Sequence, residues 1–158
     1  MKTLTLLRHA KSERDSVSGS DFDRSLDERG RADARRMGEE IRRLGLQFAL
    51  VLASSARRVV ETVEGVGGLS PQFDGRIYDA STGHLLEIVQ STDNSVESLM
   101  LVGHNPGFER LAARLTDQAV EDVPTGTLVE IELRVEHWRD VDAGRGRLVR
   151  IIRPNALT

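Results

Sequence analysis

The 158-residue chain contains no cysteine, which excludes disulfides, thiolate metal sites and cysteine nucleophiles, and fits a reducing compartment. No stretch approaches the ~20 consecutive apolar residues that a membrane span requires. The first seven residues are too short and too alternating to form a signal peptide. The net charge is -3, whereas nucleic-acid-binding proteins usually carry an excess of basic residues. We therefore expect a cytoplasmic protein that binds neither membranes nor nucleic acids.

Strand patterns and helix patterns alternate along the chain. The predicted strands are short apolar runs: Lys2–Leu7, Phe48–Ala53 and Leu99–Val102. The predicted helices repeat apolar residues at helical spacing: Leu26–Leu44, Arg57–Val66, Ser81–Gln90, and Pro106–Leu115 capped by Asn105. This alternation is typical of an α/β fold with a mostly parallel sheet between two helical layers. The length fits one domain over residues 1–158.

Three further features of the sequence concern the cap of the first helix, the first loop and the carboxyl-terminal strands. Two residues compete as the N-cap of the first helix, because Ser25 has capping-box spacing to Glu28 and Asp27 lies nearer the helix start. The loop from Lys11 to Arg24 is longer than most strand-to-helix loops, which indicates a functional role. Near the carboxyl terminus, alternating apolar residues from Val129 to Val135, a glycine turn and a second strand predict an antiparallel edge hairpin.

Cationic and imidazole side chains follow three of the predicted strands. Arg8 and His9 follow the first strand, Arg58 comes after the second, and His104 follows the third. Open α/β sheets bind ligands at the carboxyl ends of their strands, so these groups are expected at one rim. Guanidinium groups match phosphate oxygens, and a neutral imidazole can attack phosphorus. The pattern therefore predicts an anion pocket with phosphate as its ligand.

Each of these residues has a simpler interpretation when taken alone. A single arginine such as Arg8 or Arg58 is commonly a solvated surface residue, and His104 can cap a turn. A metal ion bridging His9 and His104 is disfavoured, because the arginines would repel it and no carboxylate has ligand spacing. We therefore expect neither a metal nor another cofactor.

The combined motifs resemble the histidine phosphatase superfamily, and within it the short SixA-type phosphohistidine phosphatases. The motifs are Leu7-Arg8-His9-Ala10-Lys11-Ser12, Ser54-x-Ala56-x-Arg58-x-x-Glu61-Thr62 and Gly103-His104-Asn105-Pro106. The resemblance implies that His9 is the nucleophile and forms a phosphohistidine intermediate. It implies that Arg8, Arg58 and His104 surround the phosphate oxygens, with His104 useful in its protonated form.

Further residues are expected around the phosphate. Lys11, Ser12 and Asn105 are candidate phosphate-binding residues, and Arg24 and Phe108 are expected to join the first two at the rim. The family motif usually reads Gln-Thr after its arginine, whereas this chain has Glu61-Thr62. We expect Glu61 to pair instead with Arg57 at i,i+4 spacing.

The general acid is the least defined part of the site. Mutase-type relatives carry a glutamate in a region that aligns loosely with Asp79, which makes Asp79 the tentative acid; its alternative role is to cap a turn. Asp21 and Asp23 are lesser candidates. An imidazole leaving group needs such an acid less than an alkoxide does. A missing acid therefore favours a phosphohistidine substrate.

The connection between Arg58 and His104 leaves no room for the large lid of longer relatives, so we expect an open pocket that admits a phosphorylated side chain on a protein. The expected partner is a protein domain that carries phosphohistidine, or else a small phosphomonoester. Two further alternatives are a mutase and a non-catalytic phosphate-binding module. The sequence does not define the oligomeric state.

Overall fold

The computed structural model describes residues 1–157 and contains six strands and four α-helices. The strands are β1 (Lys2–Arg8), β2 (Leu50–Ala53), β3 (Pro71–Phe73), β4 (Ser98–Gly103), β5 (Leu128–Leu133) and β6 (Gly146–Ile152). The helices are α1 (Glu28–Leu44), α2 (Arg57–Val66), α3 (Thr82–Gln90) and α4 (Gly107–Thr116). Within residues 1–157, no helix has the length and apolar character needed to cross a bilayer.

All six strands form one sheet in the order β3-β2-β4-β1-β5-β6. The first four run parallel, whereas β5 is antiparallel to β1 and β6 is antiparallel to β5. The predicted α/β fold, with a parallel centre and an antiparallel carboxyl-terminal hairpin at its edge, is therefore confirmed. Of the two hairpin strands, β6 is the edge strand and β5 lies between β1 and β6.

The sheet separates two apolar clusters, one on each face. Leu4 and Leu6 of β1 pack with side chains from α3 and α4, while Leu7 packs with side chains from α1 and α2. Successive strand residues point to opposite faces, so one strand supplies both clusters. All three leucines are almost fully buried. The three-layer arrangement follows from this two-sided burial.

Helix α1 begins at Glu28, two residues later than predicted. Asp27 is the N-cap, since its Oδ1 accepts a hydrogen bond of 2.7 Å from the amide of Gly30. The capping role therefore belongs to Asp27 and not to Ser25. A Cβ at Gly30 would lie 2.0 Å from the carbonyl oxygen of Lys11, so only glycine allows the first loop to cross the helix start this closely.

Helix α4 begins at Gly107, so the prediction of Pro106 as its first residue is wrong by one position. Pro106 occupies the N-cap position, while the Asn105 Oδ1 accepts a hydrogen bond of 3.2 Å from the amide of Glu109. A Cβ on Gly103, just before this turn, would lie 2.8 Å from the ring of Phe108. The glycine therefore lets α4 pack directly behind the end of β4.

Strand β3 was not predicted, and β2 begins at Leu50 instead of Phe48. Strand β3 has only three residues, none of them buried, so it carries no apolar alternation for a sequence pattern to detect. These three residues form a strand because they pair with β2.

Candidate active site

The carboxyl ends of β1, β2 and β4 meet at one edge of the sheet. Arg8 lies opposite Gly103 in the parallel register of β1 and β4, and the His9 amide donates to the Gly103 carbonyl over 2.9 Å. This alignment brings the rings of His9 and His104 to a centroid separation of 5.4 Å. A nitrogen of the Arg58 guanidinium lies 3.4 Å from the His104 Nδ1. The four residues predicted at the strand ends are therefore brought together.

The His9 ring has a defined tautomer. Its Nδ1 lies 2.7 Å from the backbone carbonyl oxygen of Ala10, and a carbonyl can only accept a hydrogen bond. Nδ1 therefore carries the proton, and Nε2 carries a free lone pair. Burial lowers the pKa of His9 to about 3; the hydrogen bond to the Ala10 carbonyl opposes this shift, and His104, Arg58 and Arg8 add smaller lowering effects. The imidazole is therefore neutral at pH 7 and has a nucleophilic nitrogen.

The His104 ring is fixed between a serine and an arginine. Its Nε2 lies 2.9 Å from the Oγ of the fully buried Ser54, and its Nδ1 faces the guanidinium of Arg58. Because a guanidinium only donates, Nδ1 accepts this contact and Nε2 donates to Ser54. Burial and the nearby Arg58 charge lower the pKa of His104 to about 4. The ring is therefore neutral at pH 7 in this arrangement.

The two arginines are anchored by backbone carbonyls. One terminal nitrogen of Arg8 donates to the Val123 carbonyl, and one of Arg58 donates to the Asp21 carbonyl, each over 2.8 Å. Among residues 1–157, neither arginine has a partner for its buried Nε. Buried polar groups normally have partners, so these two N–H groups are unsatisfied in this arrangement.

Asp21 joins the site from the first loop. Its Oδ2 accepts hydrogen bonds from Arg58, over 3.1 Å, and from the Tyr78 hydroxyl, over 2.7 Å. Its Oδ1 accepts one from Arg24 over 2.8 Å. These hydrogen bonds, that from Tyr78 first, hold the pKa of Asp21 well below its ordinary value. Asp21 is therefore a carboxylate in contact with a predicted phosphate-binding arginine.

A cavity opens beside these groups. The residues that line it include Asp21, Arg58, Tyr78, Asp79, His104 and Asn105, whereas Arg8 and His9 are not part of its lining. The Tyr78 ring packs edge-on against His104, with centroids 5.5 Å apart, and against Phe22, with centroids 5.0 Å apart. The cavity thus combines cationic, anionic and aromatic walls. Among residues 1–157, no group of three or more histidine, aspartate or glutamate side chains is placed to hold a metal ion.

Asp79 and Asn105 both line this cavity, in different ways. Asp79 is exposed and has a left-handed backbone, with φ of 55°. The Asn105 side chain is engaged in the fold, because its amide nitrogen donates to the Val123 carbonyl and its oxygen caps α4. Since the same carbonyl accepts from Arg8, Asn105 helps to fix the arginine anchor.

Lys11 and Ser12 are engaged with neighbours in the structure. The Lys11 ammonium pairs with Asp27, and the Ser12 Oγ accepts a hydrogen bond of 2.8 Å from Arg24. Neither residue lines the cavity beside His104. Phe108, which was also expected at the rim, does line this cavity, although it is only 2% exposed and its ring packs against Gly103.

The sequence of this chain is similar to those of known proteins. The family model of the histidine phosphatase superfamily (branch 1) matches residues 4–97. An uncharacterised protein of Mycobacterium tuberculosis is 33% identical over 155 residues, covering 90% of this chain and 96% of that protein.

The chain belongs to the histidine phosphatase superfamily.

Solved structures within this superfamily share the fold. The protein assigned as phosphohistidine phosphatase SixA of Agrobacterium tumefaciens is 26% identical, with a TM-score of 0.83 over 97% of this chain and 98% of that one. A protein histidine phosphatase SixA in complex with tungstate has a TM-score of 0.84 at 22% identity, covering 98% of both chains. The predicted SixA-like fold is thus confirmed, and superfamily membership supports a phosphatase activity.

The superfamily motifs also contain residues whose contacts the sequence did not reveal. The Thr62 Oγ1 accepts from the Ala10 amide over 3.0 Å and donates to the Arg58 carbonyl over 2.7 Å, which couples the His9 turn to α2. Glu61 pairs with Arg57 as predicted, and it also accepts from the Leu26 amide over 2.7 Å. The sequence signal for Glu61 and Thr62 was that both belong to the second motif. Tyr78 lies 57 positions from Asp21 in the chain, and no spacing rule places the two side by side.

The buried histidines predict an acid-sensitive fold. Both are expected to titrate near pH ~6.5 in the unfolded chain, whereas their pKa values in the fold are about 3 for His9 and about 4 for His104. Between about pH 6.5 and 4 the unfolded chain therefore binds more protons, so the free energy of unfolding falls as the pH falls. Each histidine contributes a slope of roughly 1 kcal/mol per pH unit.

Urea denaturation at pH values from 4.5 to 7 tests this prediction. His9→Gln is expected to flatten the slope relative to the unsubstituted protein, because one buried histidine no longer resists protonation. The exposed His84 provides the matched control, and His84→Gln is expected to leave the slope unchanged. Equal slopes for all three proteins would show that burial of His9 does not set the acid sensitivity.

Proposed function

We propose that this protein is a metal-independent phosphatase that removes phosphate from phosphohistidine on a protein, with His9 as the nucleophile. The observation that carries the proposal is the His9 tautomer. Its protonated Nδ1 is held by the Ala10 carbonyl, so the lone pair on Nε2 is available beside Arg58 and His104. Nucleophilic catalysis requires a free lone pair, and nearby guanidinium groups stabilise the charge on the phosphoryl group that is attacked.

In the first chemical step, the Nε2 lone pair of His9 forms a bond to phosphorus. The bond from phosphorus to the leaving group breaks on the opposite side, and its electron pair departs with that group. Nδ1 keeps its proton throughout, so phosphorylated His9 is an imidazolium whose N–H remains on the Ala10 carbonyl. The intermediate is therefore already activated for its own cleavage.

In the second step, a water oxygen forms a bond to phosphorus. The bond from phosphorus to Nε2 returns its electron pair to that nitrogen, and the proton lost by the water passes to solvent or to a phosphate oxygen. His9 recovers its neutral tautomer without a proton transfer at Nδ1. This cycle needs no metal ion and no other cofactor.

The three predicted neighbours of His9 would stabilise the transferring phosphoryl group. Arg8 and Arg58 place two guanidinium charges close to His9 and His104, and such charges suit the phosphate oxygens. His104 is neutral in the structure, and a bound phosphate dianion would raise its pKa and favour the protonated form. A protonated His104 could then donate from Nδ1 to a phosphate oxygen.

The choice of a phosphohistidine substrate is supported by the character of the carboxylates at the cavity. Asp21 is ionised and Asp79 is exposed, so neither is a buried carboxylic acid ready to protonate an alkoxide. An imidazole leaving group makes a smaller demand. The connection from α2 to β4 holds only β3, α3 and short turns, which is consistent with a single domain without a large lid and with access for a protein side chain.

A small phosphomonoester is the second candidate substrate, and Asp79 is the observation that favours it. Asp79 lines the cavity, and a carboxyl group there could protonate a poor leaving group. If it does, Asp79→Asn should lower kcat about 100-fold on an alkyl phosphate and much less on phosphohistidine. Under our main proposal we expect less than about a threefold change on either substrate, measured by phosphate release under saturating conditions.

The experiment that tests the proposed function is a substrate panel. It compares a protein domain phosphorylated on histidine, free phosphoimidazole, p-nitrophenyl phosphate and common sugar phosphates, each scored by kcat/KM. We expect the phosphorylated protein to give the highest value. A sugar phosphate that outperforms it would assign the protein to small-molecule substrates, and phosphate binding without turnover of any substrate would assign it as a binding module.

A further inference from the structure

Asp21 gives the cavity a negative charge that the phosphate-transfer steps do not use. Its carboxylate is half exposed and lines the same cavity as Arg58 and His104. A carboxylate at this place opposes phosphate binding, because the two anions would share the Arg58 guanidinium. Its presence therefore calls for a role that offsets this cost.

The contacts of Asp21 argue against proton donation. Three donors surround its two oxygens: the Tyr78 hydroxyl, Arg24 and Arg58. All three stabilise the ionised form, so Asp21 is a hydrogen-bond acceptor at neutral pH. A carboxylate accepts up to about four hydrogen bonds, and the half-exposed side chain retains capacity for a donor that enters from the cavity.

The surroundings of Asp21 favour a flat, cationic group as that donor. The Tyr78 ring lies beside the carboxylate, and the Phe22 ring packs edge-on against Tyr78. Phe22 is 39% exposed, so an apolar ring edge faces the solvent next to the cavity. Aromatic rings and a carboxylate together suit a protonated heteroaromatic ring, which can pack against the rings and donate an N–H to the carboxylate.

We propose that Asp21 is a specificity-determining residue whose carboxylate accepts a hydrogen bond from the protonated ring nitrogen of a phosphoimidazole leaving group. This inference rests on the proposed function and names the chemical form of its substrate. When the bond from phosphorus to nitrogen breaks, its electron pair returns to the ring. The ring then departs as neutral imidazole that keeps the N–H held by Asp21, so no proton donor is required.

The same carboxylate discriminates against phosphomonoesters. An alkyl or aryl oxygen leaving group carries developing negative charge and has no N–H to donate, so Asp21 would repel it. A hydrogen bond to a charged group contributes enough to change a rate by about tenfold to a hundredfold. Asp21 would therefore set the ratio of kcat/KM on phosphohistidine to kcat/KM on phosphomonoesters. Its effect on phosphate binding would be smaller.

The test compares Asp21→Asn with the unsubstituted protein on two substrates, a peptide carrying phosphohistidine and p-nitrophenyl phosphate. The variant keeps the backbone carbonyl that anchors Arg58. We expect kcat/KM on the phosphohistidine peptide to fall at least about tenfold, while kcat/KM on p-nitrophenyl phosphate stays constant or rises. Asp23→Asn is the matched control, because Asp23 lies in the same turn and bonds to Ser18 and Ser20.

The remaining outcomes separate this inference from the proposed function. An equal loss on both substrates would show that Asp21 only positions Arg58, and no loss on either would show that it has no role; each result overturns the inference and leaves the proposed function standing. An unsubstituted protein that cleaves p-nitrophenyl phosphate but not phosphohistidine overturns both. Tyr78→Phe provides a second variant, and its partial shift of the same activity ratio would support the inference.

Discussion

Replacing His9 with alanine is expected to lower turnover of every phosphorylated substrate by ~10⁴-fold or more, because loss of a catalytic nucleophile removes the covalent route altogether. The structure gives this prediction its basis: the His9 Nε2 carries the free lone pair, since Nδ1 donates to the Ala10 carbonyl. Any turnover that remains would depend on phosphate binding by the other residues of the site. The measurement is phosphate release under saturating substrate, on the substrate that the panel identifies.

The control for this prediction separates lost chemistry from lost structure. His9 is buried, so the alanine variant is also compared with the unsubstituted protein by circular dichroism and thermal melting. His9→Gln fills more of the same space and should be as inactive as the alanine variant. His84→Ala, an exposed histidine variant, should keep full activity. Turnover within tenfold of normal in a folded His9 variant would remove His9 as the nucleophile.

Replacing Arg58 is expected to produce the second largest loss. Arg58→Ala should reduce kcat by ~10²- to 10³-fold, as expected for loss of one preorganised donor to the transferring phosphoryl group. The guanidinium also contacts Asp21 and His104, so its removal loosens the side of the site formed by the first loop. Arg58→Lys keeps the charge but loses the Nε–H, and it should recover only a small part of the activity.

Arg57 offers a matched control one residue away. Its side chain is exposed and pairs with Glu61 at the surface of α2, so Arg57→Ala changes the same net charge without reaching the cavity. We expect Arg57→Ala to retain activity within about twofold, because it leaves the donors of the site in place. Comparable losses in the two alanine variants would mean that overall charge matters more than the placement of the Arg58 donors.

The strand ends could be predicted from the sequence because their geometry is local. A short apolar run followed by Arg8 and His9, or by His104, identifies a parallel strand and the residues at its carboxyl end. Parallel neighbours bring such ends to one edge, so proximity follows from fold class without any distance information. The same reasoning placed Arg58 at the start of α2, directly after β2.

The contacts across the first loop could not be predicted, because they join residues far apart in the chain. Asp21 meets Tyr78 across 57 positions and Arg58 across 37, and no periodicity connects them. The tautomer of His104 depends likewise on the Ser54 hydroxyl, 50 positions away, and that of His9 depends on how the turn after β1 orients the Ala10 carbonyl. Electrostatic roles at this site are therefore properties of the assembled fold.

The arrangement also shows that some residues of the motif hold parts of the fold together. Asn105 follows His104 directly, yet its amide holds the Val123 carbonyl and the start of α4. Thr62 likewise spans from α2 to the turn after β1. Such residues connect the segments that carry Arg8, His9, Arg58 and His104.

The central claim is that His9 becomes phosphorylated during turnover, and trapping the phosphorylated protein tests it most directly. The protein is mixed with a ³²P-labelled phosphohistidine substrate, denatured in base within one turnover, digested and mapped. We predict one label per chain, bound to nitrogen, stable in base, lost in acid, and confined to the peptide that contains His9. Turnover with no labelled protein at any time, or with a label on another residue, would contradict the account.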